Sequence, residues 1–336
     1  AKEYKDMPCM AYTHCQPAQP TTVGKRATLW ANELVMDLNE IDHRLATLQL
    51  RGVKGTTGTQ ASFMELFKGD ADKIRAVDAS IAEEMGFDSE AVIPVSGQTY
   101  SRKVDAFILN ALAGIGQSCM KFATDLRLLA NFKEMEEPFE KNQIGSSAMA
   151  YKRNPMRSER ICSLSRYLMA DALNAPMTAS TQWLERTLDD SANRRISMPE
   201  GFLCADAILR LAQNVTDGLH VNEKIVEKTV REYLPFIATE NLMMEGVKNG
   251  GDRQQLHEII RTCSMDATAK MKNGERWDLL ADLADHPEFG MTKQEMEAVL
   301  DPMLYTGRCA EQVESYVKKV APLIAGIDSE QAEINI

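Results

Sequence analysis

The longest apolar pattern in the chain runs from Arg102 to Met135, and it constrains the fold more than any other feature of the sequence. Its apolar residues recur every three or four positions, at Val104, Phe107, Ile108, Leu112, Ile115, Cys119, Phe122, Leu126, Leu129 and Phe132. This period predicts one amphipathic helix of roughly 34 residues, about 50 Å long. Helices of that length are rarely stable alone, so the chain needs a helical bundle or an interface to cover the stripe.

Other helical periods surround this run. A second long helix is predicted to follow Thr21 or Thr22, either of which could cap it, and to reach about Leu50. Shorter helical periods cover residues 71–86, 156–178 and 198–219. Because strand patterns are scarce throughout, the predicted fold class is all-α.

A change of character near Val221 predicts two domains. From there the helical periods are shorter, and Gly-containing turns separate them. We therefore expect a long central helical bundle domain over residues 1–221, which holds the polar stretches described below, and a smaller helical C-terminal domain over residues 222–336.

Composition argues against several classes of function. The net charge of −11 and the lack of a basic tract disfavour binding to nucleic acid, although a local cationic pocket for an anionic substrate is compatible with them. No apolar run approaches the roughly 20 residues of a membrane span, and no secretory pattern is seen. The seven cysteines are scattered and lack Cys-x-x-Cys spacing, which predicts reduced thiols in the cytosol and no metal site.

The stretch richest in reactive side chains is residues 145–155, Gly-Ser-Ser-Ala-Met-Ala-Tyr-Lys-Arg-Asn-Pro, between two helical runs. Gly145 and the two serines make a polar segment, and Lys152 could hold a carboxylate. Asn154 and Pro155 are expected at the N-cap and the first helical position, where backbone amides favour an anion. The alternative interpretation is a solvated loop between helices.

A second candidate segment contains His14. Residues 11–20 include two prolines and cannot lie inside a helix, so His14 between Thr13 and Gln16 could be held rigidly without contributing to helix packing. The remaining histidines fall in helical or surface patterns, and they are His43, His220, His257 and His286.

A third polar stretch reads Leu-Glu-Arg-Thr-Leu-Asp-Asp-Ser-Ala-Asn-Arg-Arg. On one continuous helix, Arg186, Ser191 and Arg195 would not share a face, because steps of five and four residues rotate by about 140° and 40°. A helix break near Asp190, with that residue or Ser191 as the cap, would let them converge. The adjacent carboxylates Asp189 and Asp190 are interpreted as a cap and a surface residue.

Together, the three stretches resemble the signatures of the fumarase/aspartase superfamily, and within it the adenylosuccinate lyases. The loop resembles the pattern Gly-Ser-Ser-x-Met-Pro-x-Lys-x-Asn-Pro with the ending Tyr-Lys-Arg-Asn-Pro, and the other two stretches stand in the family's order. The resemblance extends from about Met10 to beyond Arg308. Ala150 departs from it, because the family has proline there, and we expect a less constrained loop.

The resemblance implies a β-elimination without metal or organic cofactor. Such enzymes cleave adenylosuccinate to AMP and fumarate, and succinylaminoimidazole-carboxamide ribotide to its carboxamide and fumarate. By the resemblance, Ser146 is the base, His14 is the acid and Lys152 with Asn154 stabilises the charge that forms on the carboxylate. Glu159 would pair with the acid histidine, and its alternative is a solvated helix charge.

Substrate-binding residues are also implied by the resemblance. Arg186, Ser191 and Arg195 would bind the phosphate and ribose, with Arg160 close by, and Gln98 would bind a succinyl carboxylate. The remaining residues of the implied substrate-binding set are Thr13, Ser147, Met149 and Asn154.

Assembly and length also follow from the resemblance. The family forms homotetramers through the bundles, with each active site drawn from three chains, and this sequence would lack the family's first domain. Two alternatives stay open: another superfamily lyase such as an argininosuccinate lyase, which has no nucleotide phosphate to bind, and a helical scaffold without catalytic activity.

Overall fold

The computed structural model describes residues 1–139, 149 and 151–327. Within those residues it contains thirteen α-helices and four short strands, and the predicted all-α class is confirmed. The chain divides into two compact units, one made of Ala1–Leu29 with Val221–Ile327 and the other of Trp30–His220. The predicted domain division between residues 221 and 222 stays a prediction.

The elements before residue 140 are, in chain order, β1 (Pro8–Thr13), β2 (Gln16–Thr22), α1 (Val23–Thr47), α2 (Ala61–Leu66), α3 (Ala71–Glu84), α4 (Lys103–Asn131) and β3 (Met135–Glu136). Those after residue 150 are α5 (Met156–Asp171), α6 (Asn174–Ser180), α7 (Asp189–Asp217), β4 (His220–Val221), α8 (Glu223–Ile237), α9 (Thr239–Lys248), α10 (Arg253–Lys272), α11 (Leu279–Ala284), α12 (Lys293–Ala298) and α13 (Cys309–Val320). Short 3₁₀ helices cover Pro287–Phe289, Pro302–Tyr305 and Ala321–Ile324.

The first unit combines a β-hairpin with the helices that follow Val221. Strands β1 and β2 pair antiparallel from Pro8 opposite Thr22 to Thr13 opposite Gln16, with an irregularity between Met10 and Tyr12. The C-terminal helices bury an apolar cluster of Leu242, Met243, Leu256, Cys263, Ala267, Leu279, Leu280, Leu283, Phe289 and Met296.

The second unit is built around α4, which packs against α5, α6 and α7. Its buried stripe holds Leu109, Leu112, Ile115, Cys119, Phe122, Leu126 and Leu129. Gly201 lets α7 approach α4 closely, since a Cβ at this position would lie 2.5 Å from Cδ2 of Leu109. Much of the apolar stripe recognised in the sequence is therefore buried within the chain itself.

The long helices confirm the predicted pattern but end earlier. Thr22 caps α1, because its Oγ1 accepts a hydrogen bond from the Lys25 amide at 3.1 Å. Helix α4 ends at Asn131 instead of Met135, since Lys133 adopts a φ of 63°. The Glu134 amide then donates to the Leu129 carbonyl at 2.9 Å, as in a Schellman ending. No glycine marks this stop in the sequence.

Two further helix boundaries differ from the prediction. The run 156–178 is divided into α5 and α6, and the run predicted to start at 198 begins at Asp189 as α7, with Pro199 inside it. Asp190 and Ser191 are buried in the first turn of α7. Tertiary contacts at that turn stabilise a helix start that the local apolar period does not register.

In the described part of the chain, no helix combines the length and the apolar character needed to cross a membrane.

Candidate functional site

His14 stands at the tip of the β1–β2 hairpin, in the first unit. His14 and Cys15 form the two-residue turn, and both have left-handed backbone angles, with φ of 54° and 57°. Two positive φ values are the mark of a type I′ turn, which non-glycine residues rarely occupy because their Cβ atoms are crowded. The turn exposes Thr13 and His14, and the imidazole makes no hydrogen bond with any of the described residues. Such strain is frequent at functional sites.

The polar loop is described only in part. Ser146 and Ser147 lie outside the described residues, as does Ala150. Met149 and Lys152 are exposed, and the Lys152 amide donates to the Met149 carbonyl at 3.0 Å. Within the described part of the chain, the Lys152 ammonium has no carboxylate partner, so it is available to an anion.

The start of helix α5 lies one residue later than predicted. Met156 is the first helical residue, and Pro155 occupies the N-cap position with ψ of 62° and no side-chain cap. Asn154 is therefore outside the helix, and its carbonyl accepts a hydrogen bond from the Met156 amide at 2.8 Å. The prediction that Asn154 is the N-cap is wrong, because Pro155 takes that position.

An internal carboxylate fills the anion position expected at this helix start. Oε1 of buried Glu137 accepts from the Arg157 amide at 2.9 Å, and Oε2 accepts from the amide and the hydroxyl of Ser158 at 2.9 and 2.8 Å. A helix N-terminus favours negative charge, and here Glu137 supplies it. These two amides are therefore not available to an external anion.

Glu159 and Arg160 follow on α5, and both are exposed. The Glu159 amide donates to the Pro155 carbonyl at 2.9 Å, within the first turn. No acidic side chain among the described residues pairs with Arg160. Arg160 and Lys152 are thus two cations at the start of α5 without an acidic partner in the described ranges, in a chain whose net charge is −11.

Gln98 and Arg186 lie on two irregular segments that contact each other. The Gln98 amide donates to the Glu185 carbonyl at 2.9 Å. Gly97 allows this approach, since a Cβ there would lie 2.5 Å from that carbonyl oxygen. Arg186 is exposed and has no carboxylate partner in the described ranges. The residue implied to bind a carboxylate and one implied to bind a phosphate are therefore neighbours.

Gln182 joins the same two segments through its side-chain amide. Its Nε2 donates to Oγ1 of Thr99 at 3.1 Å and to the Tyr100 carbonyl at 3.0 Å. Its Oε1 accepts from the Arg102 amide at 2.9 Å. One side chain thus fixes the backbone that immediately follows Gln98.

A half-buried polar network surrounds Tyr100 at the start of α4. The Tyr100 hydroxyl donates to Oδ1 of Asp105 at 2.7 Å, and Nε of Arg194 donates to Oδ2 of the same carboxylate at 2.7 Å. Burial, followed by Asp105, raises the pKa of Tyr100, and the hydrogen bond to Asp105 raises the pKa of Arg194. The network joins α4 to α7.

Arg102 joins the same two helices a second time. Its guanidinium lies over the Tyr100 ring at 4.6 Å, and Nε donates to Oδ2 of Asp190 at 2.5 Å. Asp190 is fully buried, so its interpretation as part of a cap and surface pair is wrong. The carboxylate is held inside because the Arg102 charge compensates it.

Arg186 and Ser191 lie on opposite sides of the start of helix α7. Residues 181–188 are not helical, so Arg186 precedes the helix, whereas Ser191 and Arg195 are four residues apart on one face of it. The break lies just before the predicted position and has no side-chain cap. Arg195 is exposed and makes no ion pair with the described residues, in contrast to Arg194.

Sequence reasoning missed the side chains that position this site. Gln182, Tyr100 and Glu137 carry no recognisable motif, and they are found only because the fold brings distant segments together. Among the described residues, no group of three or more His, Cys, Asp or Glu side chains could hold a metal ion.

Known proteins resemble the chain over its whole length. Residues 1–169 match a family described as lyase, and residues 235–316 match one described as adenylosuccinate lyase C-terminus. Adenylosuccinate lyase of Saccharomyces cerevisiae is 49% identical over 100% of this chain and 70% of its own length. The enzymes of the same name from Schizosaccharomyces pombe and Schistosoma mansoni are 49% and 46% identical, over 99% and 96% of this chain and 70% and 67% of theirs.

Solved structures with low identity share the fold. The 3-carboxy-cis,cis-muconate lactonizing enzyme of Pseudomonas putida superposes with a TM-score of 0.81 at 21% identity, over 96% of this chain and 69% of that one. A fumarate lyase of Mesorhizobium sp. BNC1 gives 0.76 at 22% identity, over 94% and 68%. The fold is common to several lyases and a lactonizing enzyme, but identity near one half over the full chain is specific, and the chain belongs to the adenylosuccinate lyase family.

Proposed function

We propose that the protein is an enzyme that eliminates fumarate from adenylosuccinate, leaving AMP, and from succinylaminoimidazole-carboxamide ribotide, leaving its carboxamide. The observation that carries this conclusion is the 49% identity to yeast adenylosuccinate lyase along the entire chain. It is a carbon–nitrogen lyase of purine nucleotide synthesis.

The proposed chemistry needs a base and an acid on either side of one succinyl group. Ser146, as an alkoxide, takes the proton from the carbon beside a carboxylate, and the electron pair left on that carbon forms the double bond of fumarate as the carbon–nitrogen bond breaks. His14 gives its proton to the departing nitrogen. Ser146 lies outside the described residues, so its role rests on the family motif.

Charge stabilisation falls to side chains in this proposal. Proton removal makes the substrate carboxylate a doubly charged aci-carboxylate, and Lys152 with Asn154 stabilises it as it forms. The unpaired ammonium of Lys152 supports this role, because no described carboxylate competes for it. Glu159 is proposed to pair with His14 of the same active site, which would orient the imidazole and fix its tautomer.

The nucleotide end of the substrate is proposed to bind to Arg186, Ser191 and Arg195, with Arg160 nearby. Three exposed guanidinium groups without carboxylate partners among the described residues suit a phosphate, which arginine binds through paired hydrogen bonds. Gln98 is proposed to bind a succinyl carboxylate, and its side chain makes no hydrogen bond within the described ranges. Thr13, Ser147 and Met149 complete the proposed set.

A homotetramer with shared active sites is the proposed assembly, and the cytosol is the proposed compartment. Exposed apolar side chains on α4 and α7 support self-association, and they include Phe107, Leu128, Ile196, Phe202 and Leu203. The seven cysteines are all free thiols, as expected for a reducing compartment.

Sedimentation combined with fumarate release tests the assembly and the activity together. The tetramer should release fumarate from adenylosuccinate, and a monomer should be inactive even with every named side chain present. Active monomers would refute the shared site, and an intact tetramer without fumarate release would refute the enzymatic function.

A further inference from the structure

The segments that carry Gln98 and Arg186 have little apolar packing to hold them in place. Residues 181–188 are irregular, and two of their apolar side chains face solvent, with Trp183 72% and Leu184 94% exposed. Leu184 also has a left-handed backbone with φ of 48°. Burial of apolar surface therefore contributes little here, and polar contacts must order the segment.

The side chain of Gln182 supplies most of those polar contacts. Both Nε2 hydrogens and the Oε1 atom are used, on Thr99, Tyr100 and Arg102. Only an amide offers two donors and an acceptor at one end of a side chain, so no other residue type of similar length makes the same three bonds. These three bonds are most of the hydrogen bonds that join the two segments.

The backbone bond between Gln98 and Glu185 completes the connection. It lies between the two residues implied to bind opposite ends of the substrate, since Arg186 follows Glu185 directly. Tyr100, which Gln182 also binds, is held in turn by Asp105 and Arg194. The segments that carry Gln98 and Arg186 are thus joined by a network of hydrogen bonds, three of which Gln182 makes.

We propose that Gln182 is a positioning residue that fixes the spacing between Gln98 and Arg186, and so makes the site selective for a ligand that carries a carboxylate and a phosphate at that spacing. This inference rests on the proposed function, because it needs both residues to contact one substrate.

A fixed spacing matters only to a ligand that reaches both residues. Such a ligand gains affinity because binding at one end places the other end at its partner, and this gain is lost when the two partners move relative to each other. AMP carries only the phosphate end and fumarate only the carboxylate end. Loss of the spacing should therefore weaken the binding of adenylosuccinate without weakening the binding of either product.

The test compares these three ligands in Gln182→Leu. We expect kcat/KM for adenylosuccinate to fall at least about 10-fold, whereas the inhibition constants of AMP and fumarate change less than about 3-fold. Gln60→Leu is the matched control, because Gln60 is a half-buried glutamine of the same unit whose side chain, among the described residues, bonds to Val53 and Asp78. Gln60→Leu should lower stability, but it should not reduce kcat/KM for adenylosuccinate more than it weakens inhibition by AMP or fumarate.

A second variant covers the possibility that Gln182→Leu does not fold. Thr99→Val removes one of the three bonds at nearly constant side-chain shape. It should also lower kcat/KM for adenylosuccinate more than it changes the inhibition constants of AMP and fumarate, but by a smaller factor than Gln182→Leu. Thermal unfolding and sedimentation of each variant confirm that intact tetramers are compared.

Three results would overturn the inference. They are an unchanged kcat/KM in Gln182→Leu and Thr99→Val, an equal loss of affinity for AMP and adenylosuccinate, or an equally selective loss of adenylosuccinate turnover in Gln60→Leu. Each of these requires a wild-type enzyme that releases fumarate. A wild type that releases none refutes the proposed function itself, so the two failures are distinguishable.

Discussion

Arg102 and Asp190 form a buried ion pair in which Nε donates to Oδ2 at 2.5 Å and the side chains are 7% and 0% exposed. The pair joins the start of α4 to the start of α7, next to Ser191. Asp190→Asn leaves the guanidinium buried without its counter-charge, and we expect the free energy of unfolding to fall by about 3 kcal/mol. Denaturant titration measures this change.

An exposed pair provides the control for that measurement. Arg210 and Asp206 lie 2.9 Å apart on α7 with side chains 62% and 64% exposed. Asp206→Asn should change the free energy of unfolding by less than about 1 kcal/mol, because water screens the pair. If Asp190→Asn and Asp206→Asn lowered the free energy of unfolding equally, burial would not explain the contribution of the Arg102–Asp190 pair to stability.

Substitution of two adjacent arginines on α7 should have different effects, one on stability and the other on substrate binding. Arg194 bonds to Asp105 and Tyr100, whereas Arg195 is exposed and unpaired among the described residues. Arg194→Ala should lower the melting temperature. Arg195→Ala should leave it unchanged but reduce kcat/KM for adenylosuccinate by about 10-fold to 100-fold, as expected for loss of a hydrogen bond to a charged group.

A substrate without phosphate tests the specificity of that effect. Its turnover, if the enzyme has any, should be little changed by Arg195→Ala. If Arg195→Ala weakened AMP and fumarate equally as inhibitors, a role in phosphate binding would be excluded.

Acid stability should depend on Asp78. Burial alone would raise the pKa of this carboxyl, but hydrogen bonds from Lys54, the Val53 amide and Gln60 outweigh burial and hold the pKa below its ordinary 3.8. A lowered folded-state pKa contributes stability above pH 3.8, and that contribution is lost as the pH falls through the folded-state value.

The comparison of wild type with Asp78→Asn measures this linkage. The difference between their free energies of unfolding should be constant above pH 3.8 and should shrink below it. A difference that grew on acidification would have the wrong sign for the observed contacts.

Thiol labelling should distinguish two cysteines. Burial, together with Asp37, raises the pKa of Cys119 to about 12, so this thiol should resist alkylation at neutral pH. Cys15 is exposed beside His14 at the hairpin tip, so it should react, and adenylosuccinate or AMP with fumarate should slow that reaction. Peptide mapping by mass spectrometry identifies the modified residues. Rapid modification of Cys119 in the folded protein would contradict the structure.

Much of the fold could be predicted because it depends on local periods. The apolar stripe of α4 and the Thr22 cap of α1 are readable from spacing and residue type alone. The end of α4 and the early start of α7 could not be, because Lys133 takes a backbone conformation usually reserved for glycine and Asp190 is buried by a partner 88 positions away. Long-range contacts override local propensity at such positions.

The candidate site divides in the same way. Motifs identify the side chains proposed to contact substrate, such as His14 and Arg195, since these residue types suit the proposed chemistry. The residues that order the neighbouring backbone, Gln182 and Glu137 above all, bond mainly to backbone atoms, and many sequences could supply such a contact. Glu137 also changes the interpretation of the α5 start, since it occupies amides that the sequence assigned to a ligand.

Fumarate release from adenylosuccinate by the full-length protein, followed by absorbance, tests the central claim most directly. The account predicts steady release by the wild type and a loss of at least about 100-fold in Ser146→Ala and in His14→Ala, with tetramers and melting temperatures preserved, because each variant lacks one of the two proton-transfer groups. No release by an intact wild-type tetramer, or unchanged release by both variants, would contradict it.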